Sequence, residues 1–426
     1  MDAEEVRDLD ESLREYLAGF DDCFTRKDTR GHLPVYIRGQ LSNMQRKSIE
    51  PMALEAGVPV RTLQEFLTHL TWDEDAMRDR VQHIARDECR DSGQEVIATI
   101  DETSCVKKGD KTPGVQRHYL GCVGKQENGI VTVHLGCAAG DFHCLLDGEL
   151  FLPQSWSDDR PRCREAGIPD DVVYRSKSDI AIALYDRARD EGMHFDWITF
   201  DEWYADKLVF LRALDERQQP FIGEIPRNFF AQIDPSRITN RPYRRNGKGR
   251  PRRTPRQVVG SPKAKAVEEL ACSHPTLRNQ PWETWHVKDT EKGPLVWRTK
   301  RASIFVKDEN HLPTVQYELL IAENPLSGEI KYFVSNATDA TTESLLRVAF
   351  SRWTIERCFE DHKGRVGMTH WEGRRWIALK RHLILTCVSY LFLAISCERQ
   401  RKKKSGDHDL PTPHGRQRGR TILVTR

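Results

Sequence analysis

The sequence predicts an α/β protein, in which a mixed β-sheet with flanking helices follows an all-helical N-terminal region. In residues 1–92, apolar side chains such as Leu13, Tyr16 and Phe20 recur at helical spacing. From about residue 95 the pattern changes to short β-prone runs, in the order strand, strand, strand, helix, strand, helix. That order is typical of a mixed sheet covered by helices.

The composition suits two or three domains and leaves the kind of partner open. The chain has 426 residues, and its 66 Lys and Arg nearly balance its 64 Asp and Glu. Net charge therefore does not argue for nucleic acid, and such an argument must rest on where the charges lie. The eleven cysteines contain no CxxC pair, which argues against a zinc finger or a disulfide framework.

Within the N-terminal region, residues 52–67 contain two helical stretches separated by Gly57. Glycine can end a helix in the left-handed conformation, so this segment resembles a helix-turn-helix. Arg46, Lys47 and Arg61 lie nearby and are candidates for contacts with DNA phosphates. A plain helical hairpin is the alternative to the predicted DNA contact.

Residues 93–219 form the first part of the predicted catalytic core, and two of its strands stop at an aspartate. The β-prone runs 96–100 and 195–200 end at Asp101 and Asp201. If the two strands are parallel neighbours in register, both carboxylates reach the same edge of the sheet. Because Mg²⁺ and Mn²⁺ prefer carboxylate oxygens, the sequence predicts a metal site at this edge.

The segment between these aspartates is predicted to hold two further strands, between residues 119 and 135, with a turn at Asn128-Gly129. A loop-rich stretch then runs to about residue 175. An aspartate at the end of a strand is also common simply as a turn residue. Glu102 and Glu202 stand beside the two aspartates and are competing candidates.

A third acid lies on a helix predicted from about Thr342 to Lys363. Arg352, Glu356 and Lys363 are four and seven residues apart, which puts them on one face of that helix. One acid between two bases can hold a metal ion while the bases hold DNA phosphates. The alternative is a surface ladder of salt bridges, which is common on helices.

Residues 220–338 are predicted to be a β-rich insertion that separates Asp201 from this helix. Within it, residues 241–256 are rich in Arg, Gly and Pro and contain no acid, so they cannot build a core. We predict an arm that binds DNA phosphates, and the alternative is a solvated disordered loop. The candidate DNA-binding residues of the arm are Arg244, Arg245, Lys248, Arg250, Arg252 and Arg253.

Residues 339–398 are predicted to complete the catalytic core. Their apolar run, 383–397, contains Thr and Ser and is shorter than a membrane span requires, so we predict a buried core helix and no association with a membrane. Residues 399–426 are basic and polar and are predicted to be disordered. The acidic first dozen residues do not resemble a signal peptide.

From about Tyr36 to Leu393 the sequence resembles the IS4-like insertion-sequence transposases, most closely the IS701 group. The superfamily pattern is Tyr, two residues, Arg, three residues, Glu, six residues, Lys, and it matches at Arg352, Glu356 and Lys363 with Ala349 at the Tyr position. The other motifs that carry the resemblance are Ile100-Asp101-Glu102-Thr103, Leu150-Phe151-Leu152-Pro153 with Ser155-Trp156, Phe200-Asp201-Glu202-Trp203-Tyr204, and Trp371-Glu372-Gly373-Arg374.

The resemblance implies an RNase H-like catalytic domain with Asp101 on the first strand, Asp201 on the fourth and Glu356 on a late helix. These three acids would bind two Mg²⁺ ions, or Mn²⁺ as a substitute, and catalyse DNA cleavage and strand transfer. Arg352 and Lys363 would position the DNA strands. The implied partners are double-stranded DNA, as terminal inverted repeats and target, and a second copy of the chain on paired ends, in the cytoplasm of a prokaryote at its nucleoid.

Two other functions remain open at this point. An RNase H-like nuclease such as a resolvase would cut DNA without joining it, and a decayed or domesticated transposase would only bind DNA. The Arg-Glu-Lys spacing argues against the first, and the three acids argue against the second, whereas Ala349 favours it. A metal-independent hydrolase is disfavoured because the sequence has neither a Gly-x-Ser-x-Gly elbow nor a phosphate-binding P-loop.

Overall fold

The computed structural model describes residues 3–239, 254–290 and 293–406. Within these residues ten strands form one mixed sheet, which confirms the predicted α/β class. The N-terminal helices are α1 (Ala3–Ala18), α2 (Lys27–Arg30), α3 (His32–Leu41), α4 (Ile49–Glu55), α5 (Val60–Thr68) and α6 (Glu74–Ser92). Gly57 separates α4 from α5 with a φ of +65°, the left-handed conformation that the sequence predicts there.

The N-terminal helices share a core with the C-terminal helix α16 (Trp376–Gly406). The hydroxyl of Tyr36 lies 2.8 Å from Nδ1 of His382, and the hydroxyl of Ser389 donates to the side-chain oxygen of Gln40 at 2.7 Å. Buried polar groups need such partners, so these hydrogen bonds fix α16 against α3.

The central part of the chain contributes six strands and five helices. The strands are β1 (Val96–Val106), β2 (Gln116–Leu120), β3 (Lys125–Ala139), β4 (Phe142–Leu150), β5 (Trp197–Phe200) and β6 (Phe221–Ile225). The helices are α7 (Gln154–Ser157), α8 (Arg160–Glu165), α9 (Lys177–Asp190), α10 (Glu202–Ala205) and α11 (Leu208–Glu216). In the sheet, β3 pairs antiparallel with β1, β2 and β4, whereas β1, β5 and β6 run parallel. This arrangement fits the RNase H-like fold that the resemblance implies.

Three predictions about this region are wrong. The first strand does not stop at Asp101 but continues to Val106, because β3 pairs with it along its whole length. The turn lies at residues 121–124, and Asn128-Gly129 belongs to β3. The stretch after residue 135 is not loop at first, because β4 follows. Its residues Cys144, Leu145 and Leu146 are all buried, so the run lacks the alternation that marks a strand. Asp201 therefore follows the fifth strand of the chain, not the fourth.

The elements after α11 include strands that extend the same sheet and strands that form small separate sheets. These elements are β7 (Phe230–Ala231), β8 (Ile238–Thr239), β9 (Arg256–Gln257), β10 (Lys265–Ala266), α12 (Val267–Ser273), α13 (Pro275–Arg278), β11 (Glu283–Thr290), β12 (Gly293–Lys307), β13 (Pro313–Glu323) and β14 (Ile330–Ser335). β14 pairs with β6, so β11 to β14 are continuous with the catalytic part of the sheet, whereas β7 pairs with β10 and β8 pairs with β9 in the small separate sheets. The arm predicted at 241–256 lies outside the described residues, except for its last three.

The helix predicted over 342–363 is in fact two helices, α14 (Thr342–Ser351) and α15 (Trp353–Gly364), which meet at Arg352. α14 contacts β5 and β6, whereas α15 contacts β1, β3 and β4. The two helices therefore cover different strands of the sheet. α16 is long and apolar enough to cross a membrane by length and composition, but 78% of its apolar window is buried inside the protein. That burial favours the predicted core helix.

Candidate active site

The parallel register of β1 and β5 brings Asp101 and Asp201 together. Ile97 pairs with Trp197 and Ile100 with Phe200, which confirms that the two strands are parallel neighbours in register. β5 ends at Phe200, and the next residue, Asp201, lies directly before α10. The Asp201 side chain caps that helix by accepting the backbone N–H groups of Trp203 and Tyr204, at 3.1 and 3.3 Å.

The two carboxylates are largely withdrawn from solvent, and the charge of Asp201 disfavours the charge of Asp101. Burial, and next the charge of Asp201, raise the pKa of Asp101 to about 7. Burial likewise raises the pKa of Asp201, against the effect of the two backbone N–H groups and of Arg352. Two carboxylates with raised pKa values suit a divalent cation, because the cation would stabilise the charged form of both.

Arg352 lies between Asp101 and Glu356. Its Nη1 is 3.6 Å from Oδ2 of Asp101, and its Nη2 is 2.8 Å from Oε1 of Glu356. The guanidinium therefore separates the third acid from the first. Among the described residues, no three acidic, His or Cys side chains are arranged so that they could hold a metal ion. The structure thus unites two of the predicted acids and leaves Glu356 paired with Arg352, its side chain 49% exposed.

Lys363, Ala349 and the aromatic residues near Glu356 differ in how far they are exposed and in what they contact. The Lys363 ammonium lies 5.7 Å from the centre of the Phe359 ring on the same helix. Ala349, at the position of the family Tyr, is buried. Phe350 packs on Trp297 with 4.8 Å between ring centres, so it does not offer a free ring to DNA. Trp353 remains 55% exposed.

Lys177 is a site residue that the sequence analysis missed. It begins α9, and its ammonium lies 2.7 Å from Oε1 of Glu102 and 4.5 Å from the centre of the Trp203 ring. Burial raises the pKa of Glu102, the ion pair with Lys177 opposes this shift, and the charge of Asp201 adds to it, so Lys177 balances an acid next to the two aspartates. The capping box of Ser176 and Asp179 is the one signal that marks the start of this helix in the sequence.

The N-terminal candidates for phosphate contact are already engaged. Lys47 is buried, and its ammonium donates to the carbonyl oxygens of Gln40 and Arg365, so the prediction that it binds phosphate is wrong. Arg46 pairs with Glu372, and Arg61 pairs with Glu65 on the surface of α5. The six candidates of the arm, 244 to 253, lie outside the described residues.

The burial of Asp101 predicts a pH-dependent stability in the absence of metal. The raised pKa means that the folded protein binds this proton more tightly than the unfolded chain, whose pKa is about 4. Stability is therefore lost as pH rises from about 4 to 7, and about 2 kcal/mol of that loss falls between about pH 5.5 and 8. We expect Asp101→Asn to remove this loss in thermal unfolding with EDTA.

Asp206→Asn is the matched control. Asp206 follows α10, the helix that Asp201 caps, but its side chain is 47% exposed. At pH 8 the Asp101→Asn protein should unfold at a higher temperature than the wild type, and added Mg²⁺ should stabilise only the wild type and the control. An Asp101→Asn protein that follows the pH profile of the wild type would contradict this account.

The fold and the paired aspartates resemble those of the DDE class of nucleases. The family described as DDE superfamily endonuclease matches residues 19–294, more than half of the chain, and the chain belongs to this family. Glu356 lies beyond the matched residues. A curated relative, the probable transposase for insertion sequence element IS701 of Microchaete diplosiphon, is 31% identical over 200 residues. That alignment covers 46% of this chain and 49% of the relative, so it spans about half the length of each. It confirms the resemblance to the IS701 group.

Proposed function

We propose that the protein is a DNA transposase that cleaves insertion-sequence ends and joins the freed 3′ ends to target DNA. The observation that carries the proposal is the in-register pairing of β1 with β5, which puts two buried carboxylates at one edge of the sheet. Membership of an endonuclease family supports the cleavage step, and the likeness to an IS701 transposase supports the joining step.

Two of the three acids, Asp101 and Asp201, lie together as hard oxygen donors of the kind that the metal ions of this chemistry need. Two Mg²⁺ or Mn²⁺ ions, held by Asp101, Asp201 and Glu356, would supply an activated water for cleavage and charge stabilisation for the leaving 3′ oxygen. Burial of the two aspartates keeps water away from their charges and strengthens every electrostatic contact at the site. The helix cap at Asp201 holds its carboxylate in one orientation.

The basic residues around the acids position the DNA. Arg352 neutralises Asp101 and Glu356 in the protein alone, and it turns to a DNA phosphate when Glu356 joins the site. Lys363, on the same helix, holds a second phosphate. The exposed ring of Trp353 offers a stacking surface for an unpaired base, whereas Trp371 is buried.

The partners follow from the reaction. The protein would bind the terminal inverted repeats and the target as double-stranded DNA, and two copies would hold a pair of ends together. The residues proposed for the DNA arm, 241–256, would add phosphate contacts. The reaction would take place in the cytoplasm, at the nucleoid of a prokaryote.

The test is cleavage of a linear DNA that carries the element's own ends, in Mg²⁺ or Mn²⁺. We expect the wild type to cut at the ends and Glu356→Ala to lose about a hundredfold or more in rate, because one metal ligand is missing. Glu360→Ala is the matched control, since Glu360 is an exposed acid one turn further along α15. Binding of the ends, measured with EDTA, should be similar for all three.

Each other outcome has a definite meaning. Cutting by Glu356→Ala at the wild-type rate would remove Glu356 from the site. Binding without metal-dependent cutting by the wild type would overturn the proposal and favour a protein that only binds DNA.

A further inference from the structure

A cleft with two hollows lies on either side of residues 369–374, the segment between α15 and α16. One hollow, of about 910 Å³, separates this segment from the loop between β1 and β2. The other, of about 530 Å³, separates it from the helices α4 and α5. Both hollows are lined by this one segment, and we call the two hollows together the α5–loop cleft.

Basic side chains dominate the hollow beside the β1–β2 loop. Its basic residues are Arg46, Lys107, Lys108, Lys111 and Arg374, against the two acids Asp110 and Glu372. Glu372 is already neutralised by Arg46. Lys108 and Arg374 are exposed, and within the described part of the chain neither has an ionic partner. The hollow therefore holds positive charge that the protein itself does not neutralise.

The loop that carries these lysines is held in place by specific contacts. The side-chain amide of Asn128 donates to the carbonyl oxygens of Lys107 and Gly109, at 2.8 Å in both cases. The Lys107 ammonium donates to the carbonyl oxygen of Trp371 on the opposite wall. Because the loop is anchored at both walls, it loses little conformational freedom when a ligand binds, and this favours binding.

We propose that the α5–loop cleft binds the phosphate backbone of a DNA duplex whose end is at the catalytic carboxylates. β1 runs without a break from Asp101 to Val106, so Asp101 and Lys107, six residues further on, are about 20 Å apart at the rise of a β-strand. At 3.4 Å per base pair, that length corresponds to roughly six base pairs of DNA. Beyond the loop, the same duplex would reach α5.

A duplex is the occupant that fits these observations, because it is long enough to contact both hollows and carries a regular row of negative charges. This inference rests on the proposed function for the position of the DNA end. The inference adds where the protein contacts the DNA a second time and how far this contact lies from the catalytic carboxylates.

The experiment measures binding of a duplex with the element's end by the full chain, in EDTA, as a function of salt. Lys108→Glu combined with Arg374→Glu should weaken binding at least roughly 50-fold at about 0.1 M salt. The slope of log K against log salt should fall by about two, one for each phosphate contact. Since both side chains are exposed, the midpoint of thermal unfolding should not change.

Arg90→Glu is the matched control. Arg90 is an exposed arginine in the last turn of α6, before β1 begins, and so at the opposite end of β1 from the cleft. Footprinting of the phosphates provides a second measurement. Protection roughly six base pairs inside the cleavage site should be present with the wild type and with Arg90→Glu, and absent with the double variant.

The result that would overturn the inference is unchanged affinity, slope and protection in the double variant. Such a result, alongside metal-dependent cutting by the wild type, would leave the proposed function intact. Conversely, weakened binding by the double variant together with no cutting by the wild type would support the cleft as a DNA site while removing the transposase proposal. The two failures are therefore distinguishable.

Discussion

Asp101→Asn and Asp201→Asn should each lower the rate of DNA cleavage by at least about a thousandfold in Mg²⁺. Asparagine keeps the size of the side chain but removes the charge that would hold the metal, and loss of a metal-bound nucleophile is worth several kcal/mol at the transition state. The measurement is single-turnover cleavage of a linear DNA with the element's ends. Binding of the same DNA in EDTA should stay within about twofold, because neither side chain is proposed to contact phosphate directly.

Asp206→Asn serves again as the control, because it removes a charge near α10 from an exposed position. It should cut at the wild-type rate. If either Asp101→Asn or Asp201→Asn cuts as fast as this control, that aspartate is not a metal ligand.

The second large effect concerns Arg381→Met, which should destabilise the protein by about 3–5 kcal/mol. Arg381 on α16 is buried, and its guanidinium lies 4.5 Å from the centre of the Trp72 ring. It donates to Glu74 and to four backbone carbonyl oxygens at 2.9–3.4 Å, those of Phe66, Leu67, Leu70 and Trp72. Methionine would remove this donor from the carbonyl oxygens of Leu67, Leu70 and Trp72, whereas that of Phe66 would keep the indole N–H of Trp72.

The midpoint of urea unfolding would measure this loss. Lys380→Met is the matched control, since Lys380 is the neighbouring residue and pairs with Glu74 and Asp75 from a partly exposed position. Ion pairs that water reaches contribute little, so the control should change stability by less than about 1 kcal/mol. Equal effects of the two substitutions would show that Arg381 does not hold the N-terminal helices to α16.

Much of the central sheet was predictable because its strands carry a local signal. β-prone runs that stop at Asp101 and Asp201 predict two strands and a shared edge, and the register of β1 and β5 confirms this edge. β4 was not predictable in the same way, since burial of successive residues removes the alternation of apolar and polar side chains. The continuation of β1 past Asp101 depends on its partner β3, which is a non-local contact.

The rest of the site depends on contacts between distant parts of the chain. The spacing of Arg352 and Glu356 predicts that they share a face, and their 2.8 Å ion pair agrees with it. No local pattern predicts that the helix breaks at Arg352, or that Lys177 reaches Glu102 from 75 residues away. Lys47 looked available for phosphate because its two carbonyl partners, one of them 318 residues away, leave no trace in the nearby sequence.

The joint between α14 and α15 has a consequence for how variants of this protein should be sorted. Glu356 lies on α15, whereas Asp101 lies on β1 and Asp201 follows β5, and Arg352, where α14 and α15 meet, pairs with both Glu356 and Asp101. Under the proposed function, completing the set of three acids would require a change in the orientation of α15 and no refolding. Substitutions at this joint would then lower the rate of DNA cleavage without changing the melting temperature. An unchanged melting temperature would therefore not show whether Glu356 reaches the other two acids.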